Sequence, residues 1–215
     1  MKVIHRIEDT EIYKAGPNTY AILTRNSNDN LVGFLEIIDV KYEVESSTEI
    51  KLTGSNVKTL EQFLSDSKKL IDYNTATKMT LDLVRQILYL EDNEKTLSFL
   101  MPQDIVIIDN SKFLILNQSN IYEIERDHIE INTPYNVSDF MPPTLVNNRS
   151  LPLKLYYTEV YYCIGKLLIY CLYNSKIDKD TDLRVLLGSI YSTRLYWFIV
   201  KCLINDARQR QLMFF

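Results

Sequence analysis

Residues 83–117, LVRQILYLEDNEKTLSFLMPQDIVIIDNSKFLILN, join two hydrophobic periods across one loop. The first part continues a run in which Met79, Leu83, Val84, Ile87 and Leu90 recur at steps of three and four. That spacing predicts a helix over about 75–90, with Asn74 or Thr75 as a suitable N-cap. The last part holds two apolar runs, 105–108 and 113–116, around the polar turn Asp109-Asn110-Ser111. Two such runs about a short polar turn predict a β-hairpin.

Before this stretch, residues 11–53 read as short strands at 19–23, 31–38, 41–44 and 49–52. Polar, Asn-rich segments such as 26–30 separate them and supply turn chemistry, so an antiparallel sheet is expected. A short helix is expected over 59–65, with Leu60, Phe63 and Leu64 on one side. After the stretch, residues 117–150 read as irregular, with a strand near 121–124 and Pro142-Pro143 barring a helix. Helices are expected at about 153–173 and 190–204. Strands first and helices after is an α+β layout.

Composition narrows the function classes. A length of 215 residues makes one domain the default, and 46% hydrophobic with 24% charged residues suits a packed core. A net charge of −4, with scattered Lys and Arg, argues against DNA or RNA as a partner, because phosphate contacts need a clustered basic face. Cys163, Cys171 and Cys202 form no C-x-x-C pair, and His5 and His128 have no ligand-spaced neighbours. The cysteines read as small core residues of a reduced, intracellular protein. The start, MKVIHRIEDTEIY, lacks the apolar core of a signal peptide, so a cytoplasmic location is expected. Residues 151–173 are apolar but carry Lys154, Glu159 and Lys166, which fits a buried helix better than a membrane span. The terminal Leu212-Met213-Phe214-Phe215 either docks on the domain or meets a partner.

Residues 83–117 resemble, without a gap, the catalytic segment of the protein kinases. That segment runs from a helix ending in Tyr-Leu-His through His-Arg-Asp-Leu-Lys-Pro-Glu-Asn and two strands to Asp-Phe-Gly. Tyr89 and Leu90 match the helix end, and Leu100 and Pro102 match the Leu and Pro of the loop. Residues 52–64 are similar to the hinge and the first lower-lobe helix, and Met141-Pro142-Pro143 to Ala-Pro-Glu. Gly165 falls on the glycine of the central buried helix, and Arg210 on the arginine of the closing Asp-Pro-x-x-Arg stretch. The resemblance implies a kinase-like bilobal fold over 1–215. A reduced antiparallel β lobe would occupy 1–55 and a mainly α-helical lobe 56–215.

The chemistry of that family is mostly missing. Leu97, Ser98 and Phe99 stand for His-Arg-Asp, which puts Phe99 at the catalytic base, and Asn117, Gln118 and Ser119 stand for Asp-Phe-Gly. Gly16 alone survives in the expected phosphate-covering loop, Leu35 falls at the phosphate-neutralising lysine, and Val160 replaces a buried aspartate. No helix is expected between the third and fourth strands, since residues 39–47 alternate like a strand. Asp104 and Asn117 fall on the two metal-holding positions with residue types exchanged. They are weak candidates for Mg²⁺ and ATP; equally, Asp104 can cap a turn and Asn117 end a strand. The expectation is a catalytically inactive pseudokinase, without a cofactor, acting as a protein-binding scaffold or regulator of an active kinase or its substrate. The alternatives are a Mg-nucleotide transferase using Asp104 and Asn117, or a structural subunit of a virion or secretion apparatus.

Overall fold

Alternating apolar and polar residues build the first layer of the molecule. In the computed structural model, which describes residues 2–67, 70–178 and 181–213, this layer begins with β1 (Lys2–Ile7), β2 (Thr10–Lys14) and β3 (Thr19–Thr24). Helix α1 (Asp29–Ile37) follows, then β4 (Tyr42–Ser46) and β5 (Glu49–Thr53). The five strands form one antiparallel sheet in the order β1-β2-β3-β5-β4. Ile12, Ile22 and Ile50 lie side by side in register and are fully buried, whereas Tyr13, Ala21 and Lys51 share the opposite face. Period-two alternation with one covered face is what a single-sided antiparallel sheet requires.

Two expectations are corrected here. Residues 31–38, expected as a strand, form α1 up to Ile37 and its C-cap, Ile38. Leu31, Phe34, Leu35 and Ile38, at helical steps of three, four and seven, are all at most 1% exposed. An eight-residue apolar run fits a buried strand or a buried helix, and packing decides between them. A helix therefore does stand between the third and fourth strands, and the β lobe is less reduced than expected. Leu35 lies on that helix, not on the third strand.

The remainder continues with β6 (Val57–Thr59), α2 (Leu60–Asp66), α3 (Tyr73–Asp92), β7 (Lys95–Leu97), β8 (Ile105–Ile108) and β9 (Lys112–Ile115). After these come β10 (Ile121–Glu123), β11 (His128–Ile131), α4 (Pro143–Asn147), β12 (Leu153–Tyr156), α5 (Glu159–Tyr173), α6 (Leu183–Leu186) and α7 (Arg194–Cys202). The predicted hairpin is β8–β9, to which β6 adds as a third strand, while β7–β10 and β11–β12 are two-stranded ribbons. Thr59 and Gln62 close a reciprocal capping box on α2. Helix α3 starts earlier than expected: Asp72, not Asn74 or Thr75, is the cap, and its carboxylate accepts from the Thr75 N–H at 2.7 Å.

Helix α3 holds the lower layer together. Its Gly33-facing side packs so closely on α1 that a Cβ on Gly33 would stand 2.2 Å from Tyr89 Cζ. Its other side clamps β9. Asp82 accepts from the Phe113 N–H at 2.9 Å, and Gln86 accepts from the Ile115 N–H at 2.9 Å while donating to the Phe113 carbonyl at 2.7 Å. These side chains serve the edge of β9 as a fourth strand would, leaving its backbone satisfied inside the core.

The apolar stretch 151–173 is not one helix. Leu153–Tyr156 pairs with β11, and only Glu159–Tyr173 is helical. Pro152 and the exposed Lys154 suit the ribbon, where Lys154 faces Glu130 at 3.8 Å. Among the described residues no helix is long and apolar enough to cross a membrane. Most of α5 is buried, and Gly165 lets it meet the end of α7: a Cβ there would lie 2.9 Å from Leu203 Cγ. Gly165→Leu is expected to overpack this crossing and destabilise the fold by about 1–3 kcal/mol, read from urea unfolding. The last helix, expected over 190–204, is shorter, with Thr193 as its N-cap. Phe214 and Phe215 lie outside the described residues.

Candidate functional site

The β1–β2 turn and the loop after β7 face each other across a cavity of about 560 Å³. Ile7 and Glu8 form its upper wall; Phe99, Met101, Gln103, Asn117 and Ser119 form its floor; residues 133–138 close one side. The two walls are tied where His5 Nε2 donates to the Gln103 carbonyl at 2.7 Å. Of the positions matched by the kinase resemblance, Phe99, Asn117 and Ser119 line this cavity.

Asp104 sits behind the floor, 1% exposed, in the 3-10 turn that follows Met101. Its Oδ2 accepts from the Met101 N–H at 2.6 Å and its Oδ1 from Asn117 Nδ2 at 2.8 Å. Asn117 Oδ1 in turn accepts from the Ser119 N–H at 3.0 Å and the Ser119 hydroxyl at 2.6 Å. The two residues do meet, as an exchanged metal-holding pair would. Their oxygens, however, are spent on closing the turn and on each other, which is also how a structural clasp looks. Among the described residues there is no group of three or more His, Cys, Asp or Glu side chains able to hold a metal ion.

The other matched positions lie in several different parts of the fold. Phe99 is 7% exposed and its ring lies 6.2 Å from that of Tyr135. Leu100 is buried, Pro102 opens the 3-10 turn, and Tyr89 and Leu90 end α3. Gly16 lies in the β2–β3 turn, where its N–H donates to the Thr19 carbonyl. The loop expected to cover phosphate is thus a different turn from the one over the cavity. That one is Ile7-Glu8-Asp9-Thr10, with two carboxylates and no glycine. The inward residues of β3 are Tyr20, Ile22 and Thr24, none of them cationic. Glu36 of α1 accepts from the Tyr42 hydroxyl at 2.7 Å, and among the described residues it makes no ion pair with a lysine. Among the described residues no Lys or Arg lines the cavity.

No family model matches this chain, and no curated protein matches it.

One partner was not legible in the sequence. Arg210 is 4% exposed, and its Nη1 donates to Glu159 Oε2 at 2.6 Å. Its other nitrogens donate to the carbonyls of Ile204 and Asn205, and its guanidinium lies 4.9 Å from the Tyr162 ring. No glutamate follows Pro142, and the carboxylate for Arg210 comes instead from the first turn of α5. Beside it, the Thr158 hydroxyl donates to the Ala207 carbonyl at 2.7 Å. A buried arginine at the end of a chain demands such an anion, but sequence distance hides which one.

Burial also sets the protonation chemistry. It pushes Asp104 up to about 6, against hydrogen bonds from Asn117 and Met101 and with help from the Glu8 charge. It likewise pushes Glu91 up to about 7, against the hydrogen bond from the Tyr161 hydroxyl. Both values exceed the ordinary 3.8 and 4.5, so the folded protein binds more protons than the unfolded chain through this window. Stability then increases as pH falls from about 8 to about 5, and is lost again as pH rises through the folded values. Asp72, Asp139 and Asp206 are held below the ordinary value, and their contribution fades only below about pH 4. A melting series should therefore peak near pH 5, and Glu91→Gln should flatten its slope; a Tm that climbs steadily from pH 5 to 8 contradicts the assignment.

Proposed function

We propose that this chain is a kinase-like domain without phosphoryl-transfer chemistry, working as a protein-binding scaffold or regulator. The observation that carries the reading is the lining of the cavity beneath the β1–β2 turn, which among the described residues holds one carboxylate, Glu8, and no Lys or Arg. Phosphoryl transfer is positioning plus neutralisation of charge, so a site that receives a triphosphate must offer backbone N–H groups, a lysine and metal ligands. Here Glu8 overhangs the cavity, β3 presents no lysine, and Asp104 and Asn117 bond each other. These residues do not fit a metal–triphosphate.

The frame supports the kinase-like half of the reading. Three strands, a helix and two more strands precede a hinge-like segment, a long helix and the β8–β9 hairpin. In the kinases a helix between the third and fourth strands supplies the glutamate for the lysine. In this chain the helix is present and the pair is not. The partner would be a protein, an active kinase or a kinase substrate. A cytoplasmic location accompanies this reading and rests on the three buried, unpaired thiols.

The test is the melting temperature with and without millimolar ATP, in Mg²⁺, in Mn²⁺ and in EDTA. A ligand at 100 times its Kd would add about 2.7 kcal/mol, several degrees in a chain of this size. No shift is expected. A metal-dependent rise that Asp104→Ala abolishes would replace the scaffold with a nucleotide-binding transferase.

A further inference from the structure

The outer face of α7 carries exposed aromatic and cationic side chains. Leu195, Phe198, Ile199 and Cys202 are fully buried and anchor the helix. That leaves Arg194, Trp197 and Lys201, at steps of three and four, on the opposite side. Trp197 is 46% exposed and Tyr191, just before the helix, 56%. Both pack edge-on against the buried Tyr196, each with ring centroids 5.1 Å apart, so the three rings make one aromatic platform.

The charge around this platform is one-sided. Residues 183–204 contain Arg184, Arg194 and Lys201 and no Asp or Glu, within a chain whose net charge is −4. Among the described residues none of the three makes an ion pair. Exposed Trp and Tyr beside Arg are the residue types that carry most binding energy at protein interfaces. Large exposed aromatic side chains on a soluble surface mark such contacts.

We propose that this face, Arg194, Trp197 and Lys201 with Tyr191, docks an acidic segment of a partner protein that carries an apolar anchor. The carboxylates would meet Arg194 and Lys201, and the anchor would lie against Tyr191 and Trp197. Charge complementarity selects the acidic partner. A lipid surface is less well served: α7 has nine residues and the region three cations, whereas headgroup binding uses clusters of about four to eight. The proposal deepens the scaffold reading by naming its surface, and it rests on that reading.

Trp197 is the single tryptophan of the chain, so its emission reports directly on this face. The experiment titrates the protein with a synthetic Asp/Glu-rich peptide carrying Leu and Phe, with its Lys-substituted counterpart, and with phosphatidylserine vesicles. A saturable blue shift is expected with the acidic peptide alone. It should be weakened by salt and by at least about tenfold in the double variant Arg194→Glu, Lys201→Glu. Both substituted residues lie on the outer helix face, so the variant should keep the parent's Tm and far-UV spectrum. Equal responses to the two peptides, a shift with vesicles alone, no shift at all, or undiminished binding by a folded double variant would overturn the docking face. None of these outcomes alters the ATP melting result, which judges the scaffold reading separately.

Discussion

Glu159→Gln is expected to destabilise the protein by about 3–5 kcal/mol, because it leaves the Arg210 cation buried without a counter-charge. Glu159 and Arg210 are 1% and 4% exposed, so water cannot replace the lost partner without opening the structure. For a chain of this length that loss lowers Tm by roughly 6–20 °C. Arg210→Met should cost a comparable amount by stranding the Glu159 carboxylate. The double variant Glu159→Met, Arg210→Met should be markedly less harmful than the sum, since removing both charges removes the desolvation cost. Thermal and urea unfolding of the four proteins would measure the coupling. Additive losses would mean that the 2.6 Å contact does not bind the end of the chain to α5.

Gln86→Ala should be nearly as damaging. It orphans the Ile115 N–H and the Phe113 carbonyl in the core, at about 1–3 kcal/mol for each unsatisfied group, so about 2–6 kcal/mol in all. The damage should be local as well as global. Hydrogen exchange at the Ile115 amide should speed up more than at the amides of β8, whose strand partners remain on both sides. Unchanged exchange at Ile115 would show that the Gln86 clamp is dispensable. If the clamp works through its hydrogen bonds, the similarly sized Gln86→Leu will not rescue it, because filling the space satisfies neither backbone group.

How much of this could be read beforehand depends on the range of each signal. The β8–β9 hairpin was legible because its two apolar runs and polar turn lie within twelve residues of one another, 105–116. So was α3, whose 3.6-residue period persists through five turns and needs no outside information. Helix α1 carried the right period at Leu31, Phe34, Leu35 and Ile38, yet its apolar neighbours Val32 and Ile37 filled the gaps and made it resemble a strand. The presence of α3 against Gly33 is what makes the helical arrangement the buried one. Likewise the single apolar run 151–173 divides into strand and helix because β11 offers Leu153–Tyr156 a partner.

The candidate site divides in the same way. Asp104 and Asn117 were paired at the sequence level by the kinase resemblance alone, and the β8–β9 register is what brings them within a hydrogen bond. That each would satisfy the other, and that Glu8 rather than Gly16 would overhang the cavity, depended on how the sheet turns fall over the lower layer. By itself the sequence determined the α+β layout, the hairpin and the long helix. Only the tertiary structure decided the identity of α1, the clamp of α3 on β9, and the pairing of Glu159 with an arginine 51 residues away. The physical reason is that periodicity and capping act within a few residues. Burial, charge pairing and backbone satisfaction depend on which faces meet when distant segments pack.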